Sequence, residues 1–227
     1  MKLPRPRLVI VDLDGTMIDS APDIGYATQV MLERLGLPPV DQADVCNWIG
    51  NGATMLVKRA MTGGDMHPSQ DPEGLDEALA QYIDVYAAHV FDRGVVFPGV
   101  FEGLKRLKEE GYVLACVTNK HSRFTRPLME LSGIGQYMDY VGCGDEFERL
   151  KPDPLPLLKT AERFNVAPER AVMVGDSIND VEAGRAAGFI TVCVSYGYRG
   201  EYRVEELGAD RVVQSLAEVP ELFEEPV

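Results

Sequence analysis

Leu8-Val9-Ile10-Val11-Asp12-Leu13-Asp14-Gly15-Thr16 is the stretch on which the reading of the whole chain turns. Four branched apolar residues in succession suit a short strand buried on both faces, as in a parallel sheet, because a half-exposed strand would alternate with polar residues. Two carboxylates follow at once, and Gly15 lets the chain turn sharply behind them. Ligands of open α/β sheets bind outside the carboxyl ends of the strands, so Asp12 and Asp14 fall on the functional rim. A turn that uses Asp and Gly for backbone reasons alone is the competing reading. The buried strand in front of it lowers its weight.

Outward from that strand, similar apolar runs recur at Val113 to Val117, Ala171 to Val174 and Ile190 to Val194, with weaker ones at Val141 to Gly142 and Val212 to Val213. Segments of helical period separate them: Val100 to Glu110, Phe124 to Leu131, Pro154 to Phe164 and Asp180 to Ala187. Strands alternating with helices predict an α/β fold with a doubly wound, Rossmann-like and mostly parallel sheet. Residues 20–96 break the alternation. They show helical patterns at Asp23 to Leu35, Ala53 to Met61 and Leu75 to Phe91, a loop from Thr62 to Gly74, and no convincing buried strand. The expectation is an inserted helical domain, residues 20–96, within a core domain of residues 1–19 and 97–227, with Pro98 and Gly99 marking the return. Glu218 to Glu225 reads as a solvated acidic end.

The chain has 227 residues, with 22 Lys and Arg against 36 Asp and Glu, for a net charge of −14. With 45% hydrophobic and 26% charged residues it has a globular composition, which sets disordered and fibrous classes aside. No apolar run nears the roughly 20 residues of a membrane span, and Met1 to Pro6 leads into the first strand without a signal-peptide pattern. The charge argues against a nucleic acid or an anionic membrane as the main partner, and a small anion would need a locally reversed field. Cys46, Cys116, Cys143 and Cys193 form no close pair, three of them fall in apolar runs, and all read as buried free thiols. The expectation is a soluble cytoplasmic protein, monomer or homodimer.

A second acidic cluster follows the Ala171 to Val174 run, as Gly175-Asp176-Ser177-Ile178-Asn179-Asp180. If a helix starts near Ser177, Asp176 and Asp180 lie on one side of its first turn. Capping by Ser177 or Asn179 is the simpler local explanation. It does not account for the coincidence with Asp12 and Asp14. Up to four carboxylates at neighbouring strand ends repel one another unless protonated or bound to a cation, and hard oxygen ligands point to Mg²⁺. Thr118-Asn119 closes the Val113 to Val117 run and offers a hydroxyl and an amide to an anion's oxygens. Lys151 opens Lys151-Pro152-Asp153-Pro154 before a helix.

Asp12, Asp14, Thr118, Lys151 and Asp176, in this chain order, resemble the motif series of the haloacid dehalogenase superfamily of phosphotransferases, over essentially the whole chain. DLDGT, TN, KPDP and GDSIND stand where that superfamily has its four motifs. The resemblance implies that Asp12 is a nucleophile forming an aspartyl phosphate, and that Asp14 protonates the leaving alcohol and then activates water. It implies that Thr118 and Lys151 bind the phosphoryl group. Mg²⁺ would be held by Asp12, the Asp14 backbone carbonyl and Asp176, with Asp180 supporting or acting through water. The insertion would be a helical cap that selects the leaving group. Elementary chemistry agrees: a phosphate monoester dianion repels a carboxylate nucleophile, so positive charge at the phosphoryl oxygens comes first.

Within the superfamily, Trp48-Ile49-Gly50-Asn51-Gly52-Ala53, Thr118-Asn119-Lys120 and Tyr196-Gly197-Tyr198 are similar to runs of the bacterial phosphoglycolate phosphatases. This implies a small phosphorylated metabolite, 2-phosphoglycolate, as substrate. Gly50-Asn51-Gly52 before a helix would present backbone N–H groups to a small carboxylate; a glycine turn that merely starts the helix explains it equally well. Lys58, Arg59, Lys120, His121 and Arg123 are further candidates to counter that carboxylate, although exposed cations are usually just solvated. Trp48 either walls the leaving-group pocket or, as its size favours, packs the cap. His67 and His89 receive no role. A sugar-phosphate, nucleotide or pyrophosphate phosphatase and a phosphosugar mutase of the same superfamily stay open. Asp14 argues against a dehalogenase or a phosphonate hydrolase, and the intact set argues against a binding module without turnover.

Overall fold

The computed structural model describes residues 2–65, 70–200 and 202–224. In chain order the strands are β1 (Leu8–Val11), the two-residue β2 (Ile18–Asp19) and β3 (Val95–Val96), β4 (Val113–Val117), β5 (Tyr140–Gly142), β6 (Ala171–Gly175), β7 (Ile190–Val194) and β8 (Arg211–Val213). The helices are α1 (Ala21–Arg34), α2 (Gln42–Trp48), α3 (Ala53–Met61), α4 (Leu75–Ala88), α5 (Val100–Glu109), α6 (Ser122–Leu131), α7 (Leu155–Arg163) and α8 (Ile178–Ala187).

β1 forms at the centre because it is apolar on both faces. Val9 and Val11 pack into one buried cluster with Leu104, Leu107 and Leu128. Leu8 and Ile10 pack into another with Leu157, Ala161, Ala183 and Ala187. Each of these β1 side chains is at most 1% exposed, so each contributes about 2 kcal/mol through burial. Helices cover both faces by their own periodicity: α5 buries Val100, Gly103, Leu104 and Leu107, one stripe of a 3.6-residue repeat. β1 pairs in parallel with β4 on one side and β6 on the other, Val11 lying opposite Cys116 and Val174. The sheet order is β5-β4-β1-β6-β7-β8, and every pairing in it is parallel. The chain thus builds one side of β1, crosses over and builds the other, leaving a crevice at the carboxyl end of β1.

Helices α1 to α4 follow one another between β2 and β3, with no strand of the main sheet among them. β2 and β3 pair antiparallel, Ile18 opposite Val96, and clasp the two ends of this segment. The buried Asp23 carboxylate tightens the clasp by accepting the N–H groups of Arg93 at 2.9 Å and Gly94 at 2.8 Å.

Several details differ from the expectations. The helix α2 went unforeseen because only Val45 and Trp48 of its seven residues are buried, too few for a visible period. The two-residue β2 and β3 are too short to register as patterns. α4 ends at Ala88 rather than Phe91, with His89 at its cap. Cys46 is only half-buried, because Val45 and Trp48 occupy the inward face of α2; Cys116, Cys143 and Cys193 are buried, and all four are free thiols. Cys143 lies just past β5, outside any strand. His67, within the Thr62 to Gly74 loop, and Glu225 fall outside the described residues. No helix among the described residues is long and apolar enough to cross a membrane.

Candidate active site

Asp12 follows β1 directly, and its N–H donates to the Val174 carbonyl at 2.9 Å, extending the ladder with β6 by one residue. That bond fixes the Asp12 carboxylate at the rim. Asp176 follows β6 on the neighbouring strand. One of its oxygens accepts the Thr16 hydroxyl at 2.6 Å and the other accepts the Tyr198 N–H at 2.5 Å. Asp180 lies in the first turn of α8. Its Oδ2 accepts the Asp176 N–H at 3.2 Å, the Ser177 N–H at 3.0 Å and the Ser177 hydroxyl at 2.7 Å. Helix capping and clustering at the rim are therefore both true of Asp180. Asp12, Asp176 and Asp180 each place a carboxylate oxygen within 4.8 Å of the others.

Lys151 enters this trio from the opposite side. Its buried ammonium donates to Asp12 Oδ1 at 2.8 Å, Asp180 Oδ1 at 2.7 Å and the Val117 carbonyl at 2.8 Å, which uses all three of its protons. Asn119 holds the Lys151 backbone: its Oδ1 accepts the Lys151 N–H at 2.9 Å and its Nδ2 donates to the Lys151 carbonyl at 2.8 Å. The same Nδ2 donates to the Gly50 carbonyl at 2.9 Å. Asn119 is thus committed to backbone groups, whereas the sequence reading expected its amide to face an anion. Thr118 is buried beside it, and its hydroxyl accepts the Lys120 N–H at 3.2 Å.

The carboxylate of Asp14 takes other partners. It accepts the Lys120 ammonium on both oxygens, at 2.9 and 3.0 Å, and the Ser20 hydroxyl at 2.5 Å. Lys120 is buried, with its ammonium 4.6 Å from the centre of the Tyr86 ring.

Electrostatics follow from this packing. Burial pushes the Asp12 carboxyl up to about 7; the Lys151 ammonium opposes the rise and Asp180 adds to it. Burial, then repulsion from Asp180 and Asp12, drives Asp176 well above the carboxylate range, against the Thr16 and Tyr198 hydrogen bonds. Burial alone would lower Lys151, but Asp12 and Asp180 outweigh it and hold the ammonium protonated. When all are ionised, Asp12, Asp14, Asp176 and Asp180 face two ammonium groups among the described residues, Lys151 and Lys120. Two negative charges stay uncompensated. An all-oxygen donor set carrying that deficit fits a divalent cation.

Two small cavities meet at this rim. One, about 20 Å³, is lined by Asp12, Asp14, Asn119, Lys151 and Asp180 among others. The second, about 40 Å³, lies between the sheet and the inserted helices, with Asp14, Lys120, Ile24, Leu56, Tyr82 and Tyr86 among its walls. Asp14 and Gly50 line both.

The inserted segment meets these expectations unevenly. Gly50 and Gly52 reach the cavity walls, but the Gly50 contact with the sheet rim is its carbonyl, which accepts from Asn119 and, at 3.2 Å, from Asn179. Asn51 turns away: its side-chain oxygen accepts the Arg59 guanidinium at 3.1 Å, and both line an outer groove. Arg59 is buried and also donates to the Trp48 carbonyl at 3.0 Å. Lys58 is drawn off by an ion pair with Asp71. Arg123 pairs with Asp84 at 3.3 Å, and His121 caps α6 by accepting the Arg123 N–H. Of the five basic candidates, Lys120 is the one that pairs with a carboxylate of the rim. Trp48 is buried in apolar packing.

The strap Tyr196-Gly197-Tyr198, two residues past β7, was not read as part of the rim. Its Tyr196 hydroxyl donates to the Thr16 carbonyl at 2.7 Å, and its Tyr198 backbone holds Asp176. The Tyr198 hydroxyl also bridges Asp19 and the Ala21 N–H, tying the strap to the start of α1. Gly15 (φ +84°) and Gly197 are required here, since a Cβ on either would collide with the Asp176 side chain. Its position after a strand and its likeness to a run of the phosphoglycolate phosphatases were the available signals.

Comparison with known proteins agrees with the geometry. The model of the haloacid dehalogenase-like hydrolases matches residues 9–194, and the chain belongs to that family. It is 42% identical over 221 residues to the phosphoglycolate phosphatase of Nitrosococcus oceani, covering 97% of this chain and 98% of that one. The phosphoglycolate phosphatase of Thiobacillus denitrificans is 43% identical over 212 residues, 93% of each chain. A crystal structure of a predicted phosphoglycolate phosphatase from Haemophilus somnus superposes with a TM-score of 0.89 at 29% identity, over 95% of this chain and 97% of that one. The protein is a phosphatase of this family.

Proposed function

We propose that the protein hydrolyses 2-phosphoglycolate to glycolate and phosphate, through a phosphoryl group carried on Asp12. The observation that carries this reading is that Asp14 lines both cavities, with Asp12 and Lys151 in one and apolar walls in the other. An acid that protonates a leaving oxygen has to stand between the phosphoryl group and the leaving group. In the first step an Asp12 oxygen attacks phosphorus, the bond from phosphorus to the glycolate oxygen breaks, and Asp14 delivers a proton to that oxygen. In the second, water attacks the phosphoryl group of Asp12, Asp14 takes the water's proton, and phosphate leaves with Asp12 regenerated. Lys151 and Thr118 bind the transferring group, Lys151 with a charge already fixed in place. Asn119 keeps Lys151 in position.

Mg²⁺ held by Asp12, Asp176 and the Asp14 carbonyl supplies, when bound, positive charge at a phosphoryl oxygen. Asp180 supports this set, because its two oxygens are taken by Lys151 and by the start of α8. Residues 20–96 act as a cap that closes the small cavity over the leaving group. The space of about 40 Å³ beside Asp14 suits a two-carbon acid. The relatives, themselves phosphoglycolate phosphatases by name, point the same way.

Specificity constants for phosphoglycolate, sugar phosphates, nucleotides and pyrophosphate, measured with Mg²⁺, test the substrate. Phosphoglycolate should lead, and a clear preference for a sugar phosphate would sink the reading. Rapid quenching followed by mass spectrometry tests the intermediate: Asp12→Asn should abolish the phosphoryl adduct, and an adduct trapped on another residue refutes the role of Asp12.

A further inference from the structure

Two buried side-chain atoms among the described residues lack a hydrogen-bond partner, Gln81 Oε1 and Tyr86 OH. The Gln81 amide still donates to Glu77 through Nε2. The Tyr86 hydroxyl is the only polar atom of its side chain, and the residue is 1% exposed. Leaving such a hydroxyl unpaired is costly, so a reason for its presence is needed. Packing does not supply one. The Tyr86 ring lies 5.7 Å from Tyr82, 4.8 Å from Phe124 and 4.6 Å from the Lys120 ammonium, and a phenylalanine would make the same contacts.

Tyr86 lines the cavity of about 40 Å³ that also contains Asp14 and Lys120. That volume holds about three or four water-sized groups, close to the heavy-atom count of a carboxymethyl arm. Ile24, Ile49, Leu56 and Phe124 add apolar wall, and His121 also borders the space. The Lys120 ammonium spends its charge on both oxygens of Asp14. The Tyr86 side chain thus borders this cavity and carries a buried hydroxyl with nothing to bond. We propose that Tyr86 is a specificity residue whose hydroxyl donates a hydrogen bond to the carboxylate of the leaving group, selecting phosphate monoesters of short hydroxy acids over neutral alkyl phosphates. Burial, with the Asp14 and Asp23 carboxylates adding to it, holds the phenol well above its ordinary range, so it keeps its proton to donate. The assignment rests on the phosphoglycolate reading and adds to it the group that recognises the acid.

The test compares 2-phosphoglycolate with ethyl phosphate, which has the same two carbons and no carboxylate, in the full-length enzyme and in Tyr86→Phe. The ratio of kcat/KM for phosphoglycolate to that for ethyl phosphate should fall about tenfold or more in the variant, the loss of one hydrogen bond to a charged group, mainly through KM. Its thermal midpoint should not fall, since the change removes a buried hydroxyl that has no partner. A ratio within about twofold of the wild-type value, including an equal loss on both substrates, overturns the role of Tyr86 and leaves the proposed function standing. A wild-type enzyme with no preference for phosphoglycolate over ethyl phosphate overturns both. One readout needs no variant: glycolate should inhibit hydrolysis of an aryl phosphate at least about tenfold better than ethylene glycol. Equal inhibition by the two overturns carboxylate recognition in this cavity.

Discussion

The rim of the sheet and the inserted helices contribute to the same site in different ways. At the rim the charged side chains are tied down by several partners, Lys151 by three acceptors, Asp180 by Lys151 and the start of α8, and Asp176 by Thr16 and Tyr198. From the insertion, the cavity receives mainly apolar and aromatic walls and one unpaired hydroxyl. The contrast suits a division of labour. Phosphoryl transfer needs charges fixed before the reaction begins, whereas selection of a leaving group needs shape and a few placed donors.

The sharpest way to break this comparison is to remove a fixed charge. Lys151→Ala should cost about 3 kcal/mol in the chemical step, roughly a hundredfold in kcat, and the loss should appear equally with phosphoglycolate and with an aryl phosphate. Single-turnover kinetics would detect it, and an unchanged rate would exclude Lys151 from the reaction. Lys151→Arg should not rescue, because three acceptors converge on a compact ammonium and a planar guanidinium cannot meet them in that arrangement.

A smaller effect is expected one step further back. Asn119→Ala removes the amide that holds both backbone groups of Lys151 and links them to Gly50 of the insertion. About tenfold should be lost from kcat, with about 2 kcal/mol of stability. If Asn119 instead touches the substrate, KM will rise while kcat stays, and its assignment as a positioning residue fails.

The chain displayed the rim plainly and the insertion poorly, for a physical reason. Val9 and Val11 against Leu8 and Ile10 are a local pattern, and a carboxylate that follows a strand must lie at its end. Asp12, Asp176 and Asp180 could therefore be grouped before any contact was known, whereas Lys151 joined them only through the resemblance of the motif order. The pairing of Lys120 with Asp14 spans 106 residues, and that of Tyr198 with Asp176 crosses from one strand end to the next. Such contacts exist only once the sheet order brings β4, β1, β6 and β7 side by side. The amide of Asn119 departs from its expected role for the same reason: its type suits an anion, but its neighbours are backbone groups from two distant loops.

Proton linkage probes the rim as an electrostatic unit. The unfolded Asp12 carboxyl titrates near the ordinary aspartate value of 3.8, and the folded one at about 7, chiefly because it is buried. Between those values the folded chain binds more protons than the unfolded chain, so stability falls as pH rises through that window. Asp176 shifts in the same direction. With metal chelated, the thermal midpoint should therefore decline from pH 5 to 7, and the gain from added Mg²⁺ should grow over the same range. A chelated protein that grows more stable from pH 5 to 7 would contradict this picture of the buried carboxylates.

The smallest effect belongs to the insertion and separates its inner wall from its outer surface. Lys58 lies on the helix α3, whose residues Ala53 and Leu56 line the inner cavity, yet its ammonium pairs with Asp71 outside it. A partly exposed pair of this kind contributes at most about 1 kcal/mol to stability. If charge near the insertion drew in the anionic substrate without contact, Lys58→Ala would raise KM, and more so at low salt. The geometry predicts otherwise: with the cation tied to Asp71, kcat/KM for phosphoglycolate should stay within about twofold of wild type at both low and high ionic strength. A larger, salt-dependent loss would extend substrate recognition beyond the inner wall and blur the line between the two regions.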